Sequence, residues 1–294
     1  MIIVKLIGGL GNQMFQYALG RRVALERGVP LKLDLSWFES QNKRKFELDQ
    51  FNITAEIASP EDINQLLPYS RNRLLRGVYN RVEKWIPYQK RFIFREQSFG
   101  NFDPHVLKVD GIRYFDGYWQ SEKYFRPIEA RIRADFTLKQ PLSSADQALA
   151  AEMCANPHLV SIHIRRGDYV SDYRTIQMHY VCTPDYYNAA MRLINARLKG
   201  KAFFYVFSDD PGWCRSGVDY PSEYKIVSNG ERSAAHELVV MSKCRHAIIS
   251  NSSFSWWSAW LGSDSHSIVI TPAKWLANTH NSTLDLIPEN WIKL

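Results

Sequence analysis

The stretch MIIVKLIGGLGNQMFQYALGRRVALERGVPLKLDL, residues 1–35, decides the fold. Its opening run, Ile2 to Ile7, is apolar except for Lys5 and reads as a buried strand. A glycine turn, GGLGNQ, follows. From about Gln13 to Arg27, Phe15, Leu19 and Val23 recur every four residues beside Met14, Ala18 and Leu25, the spacing of a helix with one apolar face. Gly28 stops that helix, and VPLKLDL alternates as a second strand. Strand, helix, strand is a βαβ unit, which predicts a parallel sheet with helices on its faces.

Outward from this unit, the α/β alternation fades and returns. Residues 36–155 offer SPEDINQLL as a capped helix start and GIRYFDGYW as a short strand. Between them, Arg71 to Arg95 carries eight basic residues against one acid, Glu83, with Tyr79, Trp85, Tyr88, Phe92 and Phe94 interleaved. Such a run reads either as a helical hairpin with solvated arginines and a buried aromatic stripe, or as a docking surface for an acidic acceptor or an anionic bilayer. KQPLSSADQAL looks like a boundary, giving domains at 1–145 and 146–294. Beyond it, HLVSIHI, AFFYVFS, AIIS and SIVIT read as strands, and TPDYYNAAMRLINARLKG, AAHELVVMSKC and SFSWWSAWLG as helices, the last closed by Gly262.

A chain of 294 residues with 45% hydrophobic and 13% aromatic side chains builds real cores, which excludes global disorder. The net charge of +7 favours anionic partners such as phosphates, acidic glycans or a membrane surface. Cys154, Cys182, Cys214 and Cys244 contain no CxxC pair and read as free thiols in a reducing compartment. The N-terminus enters directly into a strand and lacks signal-peptide flanks, and no apolar stretch approaches the about 18 residues of a spanning helix. The expectation is a cytoplasmic protein, with peripheral contact at the inner face of a membrane as an option.

Three predicted strand ends carry the chemistry. In LVSIHIRRGD, Val160, Ile162 and Ile164 share one face, and Ser161, His163 and Arg165 the other. His163 and Arg165 therefore emerge together at the strand's C-terminal end, the edge where open α/β sheets bind ligands. The strand FFYVF ends in SDDPGW, whose Asp209 and Asp210 read as a turn, a metal pair, or acceptors for a base N–H or a ribose hydroxyl. AIIS ends in NSSFSWW, which puts Ser252 and Ser253 at a helix N-terminus suited to phosphate. Arg165 adds a forked cation. Together they outline a pocket for a nucleoside diphosphate. Trp256, Trp257 and Trp260 read as packing.

GGLGNQMFQYALG at 8–20, HIRRGDY at 163–169, YVFSDD at 205–210 and NSSFSWWSAWLG at 251–262 resemble the bacterial α-1,2-fucosyltransferases, in order and over essentially the whole chain. The HxRRxD element is also similar to one in α-1,6- and protein O-fucosyltransferases, so it points to the donor more than to the linkage. The resemblance implies an α/β fold of two Rossmann-like domains facing a cleft, the GT-B-type glycosyltransferase architecture, with the N-terminal domain on the acceptor side. It implies inverting, metal-independent transfer from GDP-β-L-fucose to O2 of a terminal galactose, on an acceptor that is free or lipid-linked. Arg165 would clamp the diphosphate, with Arg166 and Asp168 in the same nucleotide-binding element. Asn251, Ser252, Ser253 and Phe254 would line the phosphate and nucleotide site, Asp209 or Asp210 would read guanine, and His163 would help seat the nucleoside. GGLGNQ, with Gly9 and Gly11, would face the cleft from the first domain, with Asn12 and Gln13 near the reacting centre. Asp172 would be the base for the acceptor hydroxyl, or Asn12 would instead orient that hydroxyl or a water.

Two rivals differ in kind. A dinucleotide-binding oxidoreductase would use GGLGNQM with Asp34 as its ribose-binding acid, but Met14 stands where close helix–strand packing needs Gly or Ala. A lectin-like protein is suggested by nine tryptophans and the basic segment. Nucleic acid is not expected, because no recognition module accompanies the basic residues.

Overall fold

The computed structural model describes residues 1–66, 77–78, 81–109, 111–167, 180–228, 230–277 and 283–294. The chain forms two compact units, Met1–Thr137 with Thr283–Leu286, and Leu138–Ser282 with Ile287–Leu294.

In the first unit, β1 (Ile2–Lys5) leads to α1 (Leu10–Arg27) and β2 (Leu31–Asp34), then α2 (Ser36–Glu39), β3 (Glu56–Ile57), α3 (Pro60–Leu66), β4 (Ile93–Arg95), β5 (Arg113–Asp116) and α4 (Glu129–Asp135). The strands form one parallel sheet in the order β3–β2–β1–β5–β4. β1 is apolar and buried from Ile2 to Val4, as befits a central parallel strand covered on both faces, and only Lys5 at its end is partly exposed. α1 starts at Leu10, three residues before the expected Gln13, since Gly9 serves as N-cap and its carbonyl accepts from the amides of Asn12 and Gln13. Gly28 ends it with φ 62°, returning its amide to Ala24 and Leu25. Gly20 allows α1 to lie against the sheet, because a methyl group there would collide with Val4 and Leu31.

Of the run 71–95 considered as a helical hairpin, residues 77–78 and 81–82 are helical. Short 3-10 turns occupy Glu83–Trp85 and Tyr88–Lys90, Pro87 lies between them, and the chain then enters the edge strand β4. Phe94 is buried and stacks on Phe115 at 5.6 Å, whereas Trp85 and Phe92 stand exposed, so no continuous buried aromatic stripe exists there. Residues 71–76 and 79–80 of that run lie outside the described residues.

In the second unit, α5 (Ser144–Ala155) is followed by β6 (Leu159–Ile164), α6 (Pro184–Arg197), β7 (Phe203–Ser208), β8 (Tyr224–Ile226), α7 (Ala234–Met241), β9 (His246–Ile248), α8 (Ser253–Gly262), β10 (Val269–Thr271) and β11 (Ile292–Lys293). All pair in parallel, in the order β11–β10–β9–β6–β7–β8. Hydroxyls of Ser143, Thr183 and Ser233 cap α5, α6 and α7. Val160, Ile162 and Ile164 join Tyr187, Met191 and Ile194 in the core on one sheet face. Leu159, Tyr205 and Phe207 join Val240 and Met241 on the other. The break between units falls at Thr137/Leu138, whereas 145/146 lies inside α5.

Gly262 is not the cap of α8. It is the helix's last residue, with Ser263 capping in an extended conformation, and a side chain at 262 would strike the carbonyl of Ser242. Glycine is needed for close approach to the end of α7. Trp256, Trp257 and Trp260 are buried against one another and Trp291, which is packing. All four cysteines are free thiols.

Candidate active site

In the second unit, chain order runs outward from the sheet centre in both directions, β6 to β8 on one side and β9 to β11 on the other. The order reverses between β6 and β9. Loops leaving the C-terminal ends of those strands diverge, and ligands bind in the crevice they open.

What leaves β6 is a charged corner. Arg165 Nη1 pairs with Asp209 Oδ2 at 2.7 Å. The same carboxylate accepts from the Arg166 backbone N–H at 2.9 Å, so Asp209 holds both the side chain and the backbone of the corner. Gly167 completes the fit, since a methyl group there would run into the Asp209 carboxylate. Arg166 Nε donates to Asp210 Oδ2 at 3.2 Å, and its guanidinium lies over the Trp213 ring at 4.1 Å. Asp210 Oδ1 accepts from the Trp213 amide. Ser208 ties the two strand ends together, donating to the Ile164 carbonyl and accepting from the Asp210 amide.

The end of β9 closes from the other side. His163 Nδ1 lies 2.9 Å from Ser250 Oγ, a direct bridge across the reversal point. Burial first, and Arg165 second, hold the His163 imidazole well below its ordinary range, so the ring is neutral at pH 7. Its ring sits 5.6 Å from that of Phe254 in the first turn of α8. Ser252 is the N-cap of α8 but makes no side-chain cap bond, and the first turn holds no acidic residue. The positive end of that helix dipole thus follows β9, the strand next to the one the two arginines leave.

The structure brings His163, Arg165, Arg166, Asp209, Asp210, Ser252, Ser253 and Phe254 together around one sheet edge. It does so with arginine–aspartate pairs, so the corner is charge-balanced and no isolated guanidinium waits there. Asn251 belongs elsewhere. It is buried, its amide donates to the carbonyls of Tyr180 and Trp275, and its oxygen accepts from the Cys182 thiol, so it braces the loops behind the site. Asp168 and Asp172 lie outside the described residues.

The first sheet also reverses, between β1 and β5. Gly8 takes φ 80° there, and a side chain on it would collide with Asn12. Asn12 Oδ1 accepts from Gln120 Nε2 at 2.8 Å, which joins the first turn of α1 to the loop after β5. Gly9 faces the Arg44 guanidinium, and Gly11 is buried in the first turn of α1. Gln13 is wholly buried, and its amide is committed to protein. Nε2 donates to the carbonyls of Gly8 and Lys45, and Oε1 accepts from the Glu47 amide. It stitches the 45–47 segment to the glycine turn instead of facing a ligand. Asp34 is likewise spent, on the Tyr114 hydroxyl and the Ser36 amide, which removes the ribose-binding acid a dinucleotide site would need.

Sequence reasoning missed Ser250, Trp213, Gln120 and Glu96. Gln120 had a signal, being a polar residue just past a predicted strand end. Glu96 had none. It is a carboxylate raised in pKa by burial, and it accepts from the amides of Tyr118 and Trp119. In doing so it pins Trp119 at φ 57°, a left-handed conformation rare for a bulky residue.

With this geometry in place, the comparisons are decisive. The model of glycosyl transferase family 11 matches residues 1–294. The chain belongs to that family. It is 33% identical over 303 residues to an α-1,2-colitosyltransferase of Escherichia coli, covering 100% of this chain and 99% of that protein. It is 32% identical over 304 residues to the O-antigen biosynthesis glycosyltransferase WbnK of Escherichia coli, covering 98% and 99%. Galactoside α-(1,2)-fucosyltransferase 2 of Rattus norvegicus is 25% identical over 269 residues, 89% of this chain and 67% of that protein. Among solved structures, NodZ α-1,6-fucosyltransferase soaked with GDP-fucose aligns with TM-score 0.50 at 15% identity, covering 88% of this chain and 92% of that one. That likeness is one of fold, and this family 11 enzyme is an α/β glycosyltransferase with two parallel sheets, the GT-B type.

Proposed function

We propose that this enzyme transfers L-fucose from GDP-β-L-fucose to the O2 hydroxyl of a terminal β-galactoside, with inversion, to give an α-1,2-linked product. The observation that carries this reading is the corner at the second sheet's reversal point, where Arg165, Arg166 and the N-terminus of α8 stand beside the neutral His163. Those groups suit a diphosphate leaving group.

Departure of the sugar as an oxocarbenium-like centre leaves negative charge on the diphosphate. Arg165 and the α8 amides are set to meet that charge as it develops, with no reorganisation at the moment of reaction. A guanidinium presents five N–H donors, so Arg165 keeps its bond to Asp209 and still binds phosphate. In this reading, Asp209 and Asp210 first fix the arginines, and their remaining lone pairs serve the base or ribose. His163 and Phe254 give the nucleoside an apolar, uncharged flank. Arginine and helix dipole supply the stabilisation a divalent ion would otherwise give, so transfer proceeds without metal. The acceptor hydroxyl loses its proton late, so a strong base is not required.

A second reading concerns the donor sugar. The 33% identical Escherichia coli relative is a colitosyltransferase, and colitose differs from fucose by one missing hydroxyl. Incubation of the enzyme with GDP-fucose or GDP-colitose and a small panel of β-galactosides, followed by linkage analysis, tests both. An α-1,2-fucosylated galactoside is the expected product. Turnover of GDP-colitose alone would shift the donor, and a linkage other than 1,2 would overturn the acceptor assignment. Activity is expected to survive EDTA; a loss restored by manganese would overturn the metal-free scheme.

A further inference from the structure

No helix among the described residues is long and apolar enough to cross a membrane. One surface of the first unit nonetheless exposes apolar side chains among cations. Of the large apolar side chains that stand exposed, Val78, Val82, Trp85, Phe92 and Ile112 belong to the segments leading into β4 and β5. Trp85 is 80% exposed and Phe92 50%.

Geometry gathers the central members of this group. Phe92 immediately precedes β4 and Arg113 opens its neighbour β5; the Tyr114 amide donates to the Phe92 carbonyl at 2.9 Å. The Arg113 guanidinium lies over the Phe92 ring at 5.8 Å. Arg91 Nε donates to the Ile86 carbonyl at 3.1 Å, which sets that cation one residue from Trp85. Arg81 and Lys90 add exposed charge. The acid of this stretch, Glu83, is already paired with Arg95, so the cations around Trp85 and Phe92 are not neutralised by it. Because β4 is an edge strand, the sheet continues no further past this surface.

We infer that this surface docks on an anionic phospholipid bilayer, with Trp85 and Phe92 at headgroup depth and Arg81, Lys90, Arg91 and Arg113 against the lipid phosphates. The composition favours lipid over a protein partner. Protein interfaces favour aromatic residues and arginine but are depleted of lysine, whereas here Lys90 stands in sequence between the two exposed rings. That mixture suits an interface where aromatic rings sit at the headgroups and basic side chains carry their apolar stems downward while their charged ends stay wet.

Sedimentation of the full chain with phosphatidylcholine vesicles, with and without phosphatidylglycerol, tests the inference. Binding is expected on the anionic vesicles, weakened about tenfold or more on neutral ones and by high salt. Trp85→Ala with Phe92→Ala, and separately Arg81→Glu with Lys90→Glu, are each expected to lower partitioning about tenfold or more, with the circular dichroism spectrum and turnover of a soluble β-galactoside unchanged. The second pair changes only exposed charges and stays informative if the first destabilises the fold. Equal binding to neutral vesicles, none to anionic ones, or wild-type partitioning by the charge-reversed variant would overturn the inference. Retention by heparin or DNA without vesicle binding would also overturn it, assigning the surface to a soluble polyanion.

Discussion

Arg165 and Asp209 form one working part. Under the proposed mechanism, removing the guanidinium takes a donor from the departing phosphate, so Arg165→Ala is expected to cut kcat by about 10²–10³ while the fold persists. Steady-state kinetics with circular dichroism checks this, and wild-type GDP affinity in the variant would remove Arg165 from the donor site. Arg165→Lys is not expected to rescue, because an ammonium cannot hold Asp209 and a phosphate in one planar fork. Asp209→Asn keeps the size and loses the charge, so Arg165 loses its charged anchor. We expect a fall in kcat of about tenfold or more with little change in thermal midpoint, a loss through positioning. An unchanged kcat would return Asp209 to the role of guanine reader alone. At this scale the sequence is only half legible. Arg165 and Asp210 declare themselves as charges at strand ends. Gln13 and Asn251 have the same polar character, yet both point inward, because their partners at Lys45, Glu47, Tyr180 and Trp275 are remote in sequence.

Helix α1 shows two glycines under different demands. Gly20 lies where an added methyl group meets Val4 and Leu31, so Gly20→Ala is expected to cost about 1–3 kcal/mol through overpacking. Gly28 has open space around it but φ 62°, so Gly28→Ala is expected to cost about 1 kcal/mol through backbone strain. Chemical denaturation of both variants tests the order; a larger loss at Gly28 would mean α1 shifts freely on its sheet. The strands that were readable, β1, β6 and β7, are apolar runs buried on both faces. The unreadable ones, β3, β4 and β8, are two or three residues long and carry Glu56, Arg95 and Lys225 at sheet edges. Edge strands need charge to resist pairing with other chains, and that charge hides them.

For the whole molecule, acid should weaken the fold before the carboxylates titrate. His163 and His246 are both held below the ordinary 6.5 by burial. The unfolded chain therefore takes up those protons first, and stability falls as pH drops below about 6.5. Glu47 and Glu96, raised by burial, act in the opposite sense just above 4.5. The thermal midpoint is thus expected to fall between pH 6.5 and 5, and to fall less steeply in His163→Gln; equal slopes would remove His163 as the cause. The two-sheet plan was legible because strand, helix and strand repeat in order. Its connectivity was not, since Thr283–Leu286 return to the first unit while Ile287–Leu294 stay with the second. Asp285 secures that return, accepting from Lys123 and from the Phe102 amide. Residues near the end of the chain thus complete both units: Asp285 fastens one, and β11 supplies the outer strand of the other. A variant truncated after residue 282 would keep both sheets' central strands yet lose the Asp285 fastening of one unit and the outer strand of the other, so a single short segment links the integrity of the two bodies.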